Sequence, residues 1–223
     1  MLSVEDARAR VLALVAPLGH EAVPLADAAG RTLAADAVAK RAQPPFAASA
    51  MDGYAVRAAE ATAGAVLAVA GEAAAGRRAP LALPPAAAIR IFTGAPLPEG
   101  ADSILIQENA ARVGDSITVA EAPVPGVFVR PAGGDFTAGA ALTAPRRLGA
   151  REIGLLAAMN IAKPIVARRP VVALMATGDE LVWPGETPGA DQIIASSAPA
   201  LAARVATAGG IPRLCPIARD TRE

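Results

Sequence analysis

The segment PVVALMATGDEL, Pro170–Leu181, decides the fold class that we predict for this chain. It opens with the apolar run Pro170–Ala176, which is typical of a strand buried on both faces of a sheet. After a glycine-containing loop, Ser196–Ala208 has the composition of a helix that ends at glycine, and Ile211–Ala218 is a second apolar run. Strand, helix and strand in this order predict a βαβ unit with parallel strands and a right-handed crossover.

This βαβ unit ends the sequence. Two parallel strands and one helix cannot cover both faces of a sheet. Residues 168–223 are therefore predicted to be the first part of an α/β domain. We expect the chain to be either a fragment or a subunit that another chain completes.

The N-terminal segment predicts an amphipathic helix. Ser3 has the side chain of an N-cap, apolar residues then repeat on one face as far as Val15, and Pro17 ends the pattern. His20, the one histidine, is interpreted as a charge at the C-terminal end of this helix rather than as a base.

Short β-like runs separated by proline and glycine fill the middle of the sequence. Between residues 44 and 127 they predict an all-β or β-rich module. Within it, Ser103–Gln107 and Ser116–Ala120 flank Arg112–Asp115, and we expect the two runs to pair as a hairpin through that turn. Further on, Ala150–Met159 predicts a helix that Asn160 closes in the left-handed conformation.

The composition limits the classes of function. The 21 basic and 21 acidic side chains cancel, so no broad positive field is available for nucleic acid or an anionic membrane, and neither is expected as a partner. The start, MLSVEDARAR, lacks the basic-then-apolar order of a signal peptide, and the expected location is the cytoplasm.

Cys215, the one cysteine, excludes an internal disulfide and is expected to be buried and inert. With one cysteine and one histidine, oxygen ligands and hence Mg²⁺ are favoured for any metal site.

Acidic residues follow both predicted parallel strands. The loop Thr177-Gly178-Asp179-Glu180 follows the first strand, and Asp220 follows the second. Because ligands bind beyond the carboxyl ends of parallel strands, these acids at one sheet edge predict a site for Mg²⁺, or for phosphate held through a metal. In the alternative interpretation, Asp179 caps a helix that begins at Glu180, and Asp220 is solvated.

Two loops of the β-rich module also have two interpretations. Asp52-Gly53 lies within SAMDGYAV, Ser49–Val56, and Thr93 opens the glycine- and proline-containing loop Thr93–Gly100. Both compositions are typical of turns. The functional alternative is that the carboxylate of Asp52 and the hydroxyl of Thr93 are presented to a ligand.

Together these motifs resemble the molybdopterin molybdenumtransferase family, of the MoeA and gephyrin E-domain type. The similar segments run in order along nearly the whole chain. They are LSVEDARARVL, GRTLA, PPFAASAMDGYAV, GEAAAG, RIFTGAPLPEGADSILIQE, VRPAGGD, RRPVVALMATGDEL and the helix after QII. The most specific are SAMDGYAV, FTGAPLPEGAD and TGDEL.

The resemblance implies a mixed α/β multidomain fold. Residues 1–43 plus 128–167 would form an elongated linking domain, residues 44–127 a β-rich module, and residues 168–223 the start of a parallel, molybdopterin-binding-like α/β domain. The family's glycine-rich phosphate loop, its lysine-bearing segment and its C-terminal β-barrel would follow Glu223. We therefore expect the α/β domain to be truncated and its chemistry incomplete.

The resemblance also implies a reaction. Members of this family insert molybdate into adenylylated molybdopterin and release AMP with Mg²⁺ or another divalent ion, acting as elongated homodimers. Their site forms between the sheet edge of one subunit and the β-rich module of its partner. Molybdopterin adenylyltransferase and molybdoenzymes are the further partners implied. A non-catalytic dimerising scaffold or cofactor-binding accessory of the same family is the alternative.

Site residues follow from the resemblance by their matching positions. They are Asp52, Thr93 and Glu180 as catalytic residues, Asp135, Thr177, Gly178 and Ser197 as substrate-binding residues, and Asp179 and Asp220 as metal ligands. Thr93 would offer its hydroxyl to an oxyanion, and Gly53 would allow a close backbone approach beside Asp52.

The chain departs from the family pattern at two of these segments. Ala195-Ser196-Ser197 stands where Asp-Ser-Asn is usual, which removes a carboxylate and an amide. Gly133-Gly134-Asp135 stands where Gly-Glu-Asp is usual. The first departure favours the non-catalytic alternative, whereas the presence of Asp52, Thr93 and the TGDEL acids favours the enzyme.

Overall fold

The computed structural model describes residues 2–221. The helices in this range are α1 (Val4–Ala13), α2 (Ala150–Ala158) and α3 (Ser197–Thr207). The strands, in chain order, are β1 (His20–Ala22), β2 (Thr32–Leu33), β3 (Ala37–Val38), β4 (Ala48–Ser49), β5 (Gly53–Val56), β6 (Val66–Ala73), β7 (Ala87–Ile91), β8 (Ser103–Ile106), β9 (Ala110–Val113), β10 (Ser116–Val119), β11 (Val129–Arg130), β12 (Ala141–Leu142), β13 (Arg146–Arg147), β14 (Ile165–Ala167), β15 (Val171–Leu174), β16 (Leu181–Val182), β17 (Ile193–Ile194) and β18 (Ile211–Leu214). Short 3₁₀ helices cover Leu25–Asp27 and Gln107–Asn109. The chain is thus rich in strands and has few helices.

The chain divides into two compact units, which we describe separately. The first unit comprises Met1–Ala37, Leu142–Ala157 and Ile161–Glu223. The second unit comprises Val38–Ala141 and Ala158–Asn160. The three-domain division made from the sequence stays a prediction.

A six-stranded sheet organises the second unit. Its strand order is β8-β5-β7-β6-β10-β9, with β6 and β7 parallel and the other neighbours antiparallel. Because successive side chains of a strand point to opposite faces, β5 contributes Tyr54 and Val56 to one apolar cluster and Ala55 to another. The first cluster also contains Leu67, Ala88, Leu105, Ile117 and Val119; the second also contains Ile89, Ile91 and Ile104. The sheet is therefore covered by apolar side chains on both faces.

The hairpin predicted within this sheet is wrong in one of its strands. The partner of β10 at the turn is β9, with Ser116 opposite Val113 and Gly114 at a φ of +58°. The strand β8 instead pairs with β5. The 3₁₀ turn after β8 and the new strand β9 separate it from β10, and a pattern of apolar runs does not show which run pairs with which.

A four-stranded sheet with the order β1-β14-β2-β13 lies in the first unit. Helix α1 begins as predicted, since the Ser3 hydroxyl oxygen accepts a hydrogen bond from the Asp6 amide at 3.1 Å. The role predicted for His20 is wrong, because α1 ends at Ala13 and His20 lies in β1, opposite Ala167 of β14. Asn160 adopts the predicted left-handed conformation at φ +62° and follows α2.

The C-terminal strands of the first unit pair in parallel. Strands β15 and β18 pair from Val171 opposite Ile211 to Leu174 opposite Leu214, and α3 lies between them in the chain. Their burial differs from the prediction, because Val171 is 63% exposed and Ile211 46% exposed. Cys215, expected to be buried, is half-buried. An α/β domain larger than this pair and its helix stays a prediction.

A second parallel pair, β16 with β17, joins Leu181 to Ile193 and Val182 to Ile194. Strand β16 begins at Leu181, directly after the acids Asp179 and Glu180. Among residues 2–221, no helix has both the length and the apolar character that crossing a bilayer requires.

Candidate functional site

The loops that carry Asp52 and Thr93 meet at one end of the six-stranded sheet. Gly53, the first residue of β5, lies opposite Ile91, the last residue of β7. Asp52 precedes β5 and Thr93 follows β7, so the antiparallel register brings the two residues together. The Thr93 backbone N–H and the Thr93 hydroxyl each donate to Asp52 Oδ1, both at 2.8 Å.

This contact fixes the ionisation of Asp52. The Thr93 N–H is the strongest influence, followed by the Thr93 hydroxyl, and both hold the pKa of the Asp52 carboxyl below its ordinary value of 3.8. Arg90 also lowers this pKa, whereas partial burial opposes the shift. Asp52 is therefore a carboxylate at neutral pH, and its Oδ2 has no hydrogen bond from the described residues.

Backbone and hydroxyl contacts tie the two loops together beside Asp52. The Ser49 hydroxyl donates to the Met51 carbonyl at 2.6 Å. The Ser49 carbonyl accepts from the Gly94 N–H at 2.8 Å, and the Ser49 N–H donates to the Ala95 carbonyl at 3.0 Å. Asp52 thus lies on a turn that is anchored on both sides.

Gly53 is required by the neighbouring strand. A Cβ added at Gly53 would collide with the Leu105 carbonyl oxygen and would lie 2.9 Å from the Ile106 Cα. The close approach expected here from the sequence therefore exists between β5 and β8.

Arg90 is a residue of this region that the sequence analysis missed. Its guanidinium lies 4.8 Å from the centre of the Phe92 ring and 5.2 Å from that of Tyr54. It donates to the Gly53 carbonyl at 3.2 Å and to Gln107 Oε1 at 2.9 Å. A lone arginine inside the apolar run of β7 is the sequence signal that could have found it.

Asp135 lies in the same unit on the turn after β11. Its carboxylate accepts from Arg130 Nη2 at 3.0 and 3.1 Å, and both side chains are about half exposed. Arg130 belongs to β11 and lies opposite Ala48 of β4, directly before SAMDGYAV. Asp135 is thus connected to the Asp52 segment through a strand pair and an ion pair.

The two segments that carry Asp179 and Asp220 meet at the carboxyl end of β15. Thr177 forms a parallel bridge with Ala218, and the Gly178 N–H donates to the Ala218 carbonyl at 3.0 Å. Asp220 then lies beside Asp179, because the Asp220 N–H donates to Asp179 Oδ1 at 3.1 Å. The alternative in which Asp179 caps a helix is wrong, since the strand β16 begins at Leu181.

Arg219 holds this loop and was also missed. Its Nη1 donates to the carbonyls of Gly178 at 3.2 Å, Asp179 at 3.0 Å and Leu181 at 3.0 Å. The carboxylate of Glu180 lies over Gly178, whose φ is +139°, and a Cβ at Gly178 would collide with it. Gly178 therefore lets Glu180 lie against the backbone.

The remaining predicted residues are less constrained. Ser197 is the exposed first residue of α3, and the hydroxyl of its N-cap, Ser196, makes no capping hydrogen bond. Over residues 2–221 there is no cluster of three or more histidine, cysteine, aspartate or glutamate side chains that could hold a metal. The backbone N–H of Asp220 contacts the Asp179 carboxylate, and both residues have the hard oxygen donors that Mg²⁺ prefers.

Comparisons with known proteins find one family along most of the chain. The sequence model of the family described as "MoeA N-terminal region (domain I and II)" matches residues 2–160. A molybdopterin molybdenumtransferase of Nostoc sp. is 38% identical over an alignment of 230 positions, which covers 99% of this chain and 53% of that protein. Molybdopterin molybdenumtransferase 2 of Mycobacterium tuberculosis is 38% identical over an alignment of 216 positions, which covers 94% of this chain and 53% of that protein. The chain therefore spans about half the length of these relatives.

Solved structures agree with the sequence comparison. A crystal structure of a molybdopterin biosynthesis MoeA protein from Pyrococcus horikoshii superimposes with a TM-score of 0.86 at 32% sequence identity. The match covers all of this chain and 59% of that one.

Proposed function

The chain belongs to the MoeA family, of which it matches the N-terminal region, and we propose that it acts in molybdenum cofactor biosynthesis as part of a molybdopterin molybdenumtransferase. The proposed substrates are molybdate and adenylylated molybdopterin, and the proposed products are the molybdenum-loaded cofactor and AMP. The names of the relatives support the transferase activity. Mg²⁺, AMP release, a homodimer and a cytoplasmic location are the further parts of the proposal.

The contact between Asp52 and Thr93 is the observation that supports this function most directly. The Thr93 N–H and the Thr93 hydroxyl both donate to Asp52 Oδ1. A charged carboxylate whose Oδ2 is available to a ligand is therefore held at the end of the six-stranded sheet. Such a group can accept a hydrogen bond from the substrate and orient it. The proposal gives Thr93 a positioning role, since its hydroxyl proton is directed to Asp52.

Asp179 and Asp220 would hold Mg²⁺. When bound, the ion would neutralise the charge of the phosphate oxygens of the substrate. Glu180, on the same loop, would contact the substrate, and the Gly178 backbone beneath it leaves no side chain in that space. Thr177 and Ser197 would add hydroxyl groups for phosphate or pterin oxygens, and Asp135 would fix the loop near Arg130.

The experiment is AMP release from adenylylated molybdopterin by the 223-residue chain, with Mg²⁺ and molybdate present. We expect Asp52→Asn to lower the rate about 10²-fold, as removal of one preorganised polar group at a reacting centre typically does. Asp115→Asn is the matched control, because Asp115 is an exposed carboxylate in the same unit, at the turn between β9 and β10. It should leave the rate unchanged.

Two results would contradict parts of this proposal. Equal rates for the wild type and Asp52→Asn would remove Asp52 from the site. No AMP release by the wild type would exclude independent catalysis by this chain and would favour the non-catalytic accessory, to which the departure at Ala195-Ser196-Ser197 also points. Retained binding of adenylylated molybdopterin would then identify a cofactor-binding role. Sedimentation velocity of the same sample tests the homodimer.

A further inference from the structure

Four arginines line one small cavity in the first unit. The cavity has a volume of about 90 Å³. The side chains that matter for its chemistry are Arg31, Thr32, Arg147, Arg168 and Arg169, and Gly209 lies at its edge. We call it the arginine cavity. It contains none of the site residues described above.

The four-stranded sheet fixes the backbone that carries these arginines. Thr32 of β2 lies opposite Arg147 of β13. The Leu148 N–H donates to the Arg31 carbonyl at 2.8 Å, and the Arg168 N–H donates to the Gly19 carbonyl at 2.9 Å. The backbone at Arg31, Arg147 and Arg168 is therefore fixed beside the cavity that these residues line.

Arg31 is the buried member of the set. Its side chain is only 8% exposed, and its Nη2 donates to Glu21 Oε1 at 2.6 Å and to the Ala167 carbonyl at 2.7 Å. Its Nε and Nη1 donate to no acceptor among the described residues. Every side-chain nitrogen or oxygen that is enclosed within residues 2–221 has a hydrogen-bond partner, so Nε and Nη1 are not enclosed. These N–H groups are therefore reached by solvent, and because Arg31 is one of the residues that line the cavity, they are available to donate to a ligand there.

The charges around the cavity are not balanced. Within the described part of the chain, Arg147, Arg168 and Arg169 have no carboxylate within 4.0 Å, and Glu21 is the ion-pair partner of Arg31. The C-terminal end of α3, at the cavity edge, contributes only about half a negative charge. An excess of positive charge thus remains in a chain whose formal charges sum to zero. Because guanidinium groups held together repel one another, a bound anion would stabilise them.

We propose that the arginine cavity binds a tetrahedral oxyanion of the phosphate class. Roughly 10–15 Å³ admits one water molecule, so the cavity has room for a single oxyanion and some water. It is far below the roughly 300–1,000 Å³ typical of sites for organic ligands, so the cavity itself would not enclose a whole nucleotide. Guanidinium groups suit the ligand, since their planar N–H groups donate in pairs to the oxygens of such anions. The site is separate from the proposed transferase reaction and does not depend on it.

The test is a calorimetric titration of the full chain with sodium phosphate, sodium sulfate and sodium molybdate in turn. Sodium chloride at equal ionic strength is the reference for general screening. Arg168→Gln/Arg169→Gln removes two exposed guanidinium groups and keeps the buried Arg31–Glu21 pair. Arg8→Gln/Arg10→Gln on α1 is the matched control, because it makes the same charge change at exposed positions of the same unit.

We expect saturable binding of at least one oxyanion, with a Kd that rises roughly tenfold or more in Arg168→Gln/Arg169→Gln, since charge-assisted hydrogen bonds are lost. The control variant should bind like the wild type. The oxyanion with the lowest Kd distinguishes a phosphate or sulfate ligand from molybdate. The proposal is overturned if none of the oxyanions binds more tightly than chloride, or if both variants lose affinity equally. Circular dichroism of each variant in chloride buffer confirms that it is folded.

Discussion

The loops of Asp52 and Asp179 each present a carboxylate at the end of a strand, but their supports differ. The Asp52 loop enters β5, a strand of a six-stranded sheet with apolar clusters on both faces. The Asp179 loop follows β15, which among residues 2–221 pairs only with β18 and has exposed or half-buried side chains. Asp52 Oδ1 accepts two hydrogen bonds from Thr93, whereas Asp179 Oδ1 accepts one, from the Asp220 amide.

The difference shows two ways of orienting an acid. Around Asp52 the sheet packing positions the strand ends, and the strand ends position the carboxylate. Around Asp179, Arg219 fastens the loop by binding three of its carbonyls. A packing defect should therefore disturb the Asp52 loop much more than the Asp179 loop.

The largest expected effect is the loss of a core side chain beneath the Asp52 loop. Ile89 of β7 is fully buried, whereas Ile211 of β18 is 46% exposed. We expect Ile89→Ala to lower the free energy of unfolding by about 2–5 kcal/mol, through lost burial and a cavity. Ile211→Ala should cost less than about 1 kcal/mol because its side chain is half in water. Urea unfolding followed by circular dichroism measures both values.

Hydrogen–deuterium exchange shows in which of the two units each variant loses stability. Faster exchange in Ile89→Ala should be confined to the six-stranded sheet and its loops. Equal decreases in the free energy of unfolding of the two variants would contradict the difference between the two strands, since they would mean that Ile211 is covered by another surface in solution.

A smaller effect is expected where β5 touches β8. Gly53→Ala would place a Cβ against the Leu105 carbonyl oxygen, so the strands must separate, at a cost of about 1–3 kcal/mol. Gly71→Ala in β6 is the control, since nothing lies within 4 Å of its Cβ position. It should change the stability by less than about 1 kcal/mol. Similar unfolding midpoints for the two variants would show that β5 and β8 separate easily, which contradicts a rigid support for Asp52.

Local features of this chain could be predicted from the sequence. The Ser3 cap and the left-handed Asn160 depend on a few neighbouring residues, and both are confirmed. The strand–helix–strand order at the C-terminus is confirmed for the same reason, because each element has its own apolar pattern.

Partners distant in sequence could not be predicted. The pairing of β8 with β5 was missed because several apolar runs have equivalent patterns. Arg90 acts on groups 17 and 37 residues away, and Arg219 on carbonyls 38 to 41 residues before it. The exposure of β15 and β18 depends on what packs against their faces, which the strand pattern does not contain.

The smallest expected effect isolates the hydroxyl of Thr93. Thr93→Val removes the Oγ1 donor but keeps the backbone N–H, which is the stronger influence on Asp52. We therefore expect the pKa of Asp52 to rise in Thr93→Val and still to lie below 3.8. Thr93→Ser retains a hydroxyl and should leave this pKa unchanged. An NMR titration of the Asp52 carboxyl carbon measures the pKa in each protein.

The sign of the linked stability follows from the direction of the shift. A carboxyl whose pKa is lowered by folding stabilises the folded state above its unfolded pKa, and this stabilisation is lost as the pH falls through the folded pKa. The stability difference between wild type and Thr93→Val should therefore be larger at neutral pH than in acid below the folded pKa. A stability difference that does not depend on pH would mean that the Thr93 hydroxyl contributes by packing and not by its hydrogen bond to Asp52. Asp52 would then be oriented by one backbone N–H, as Asp179 is.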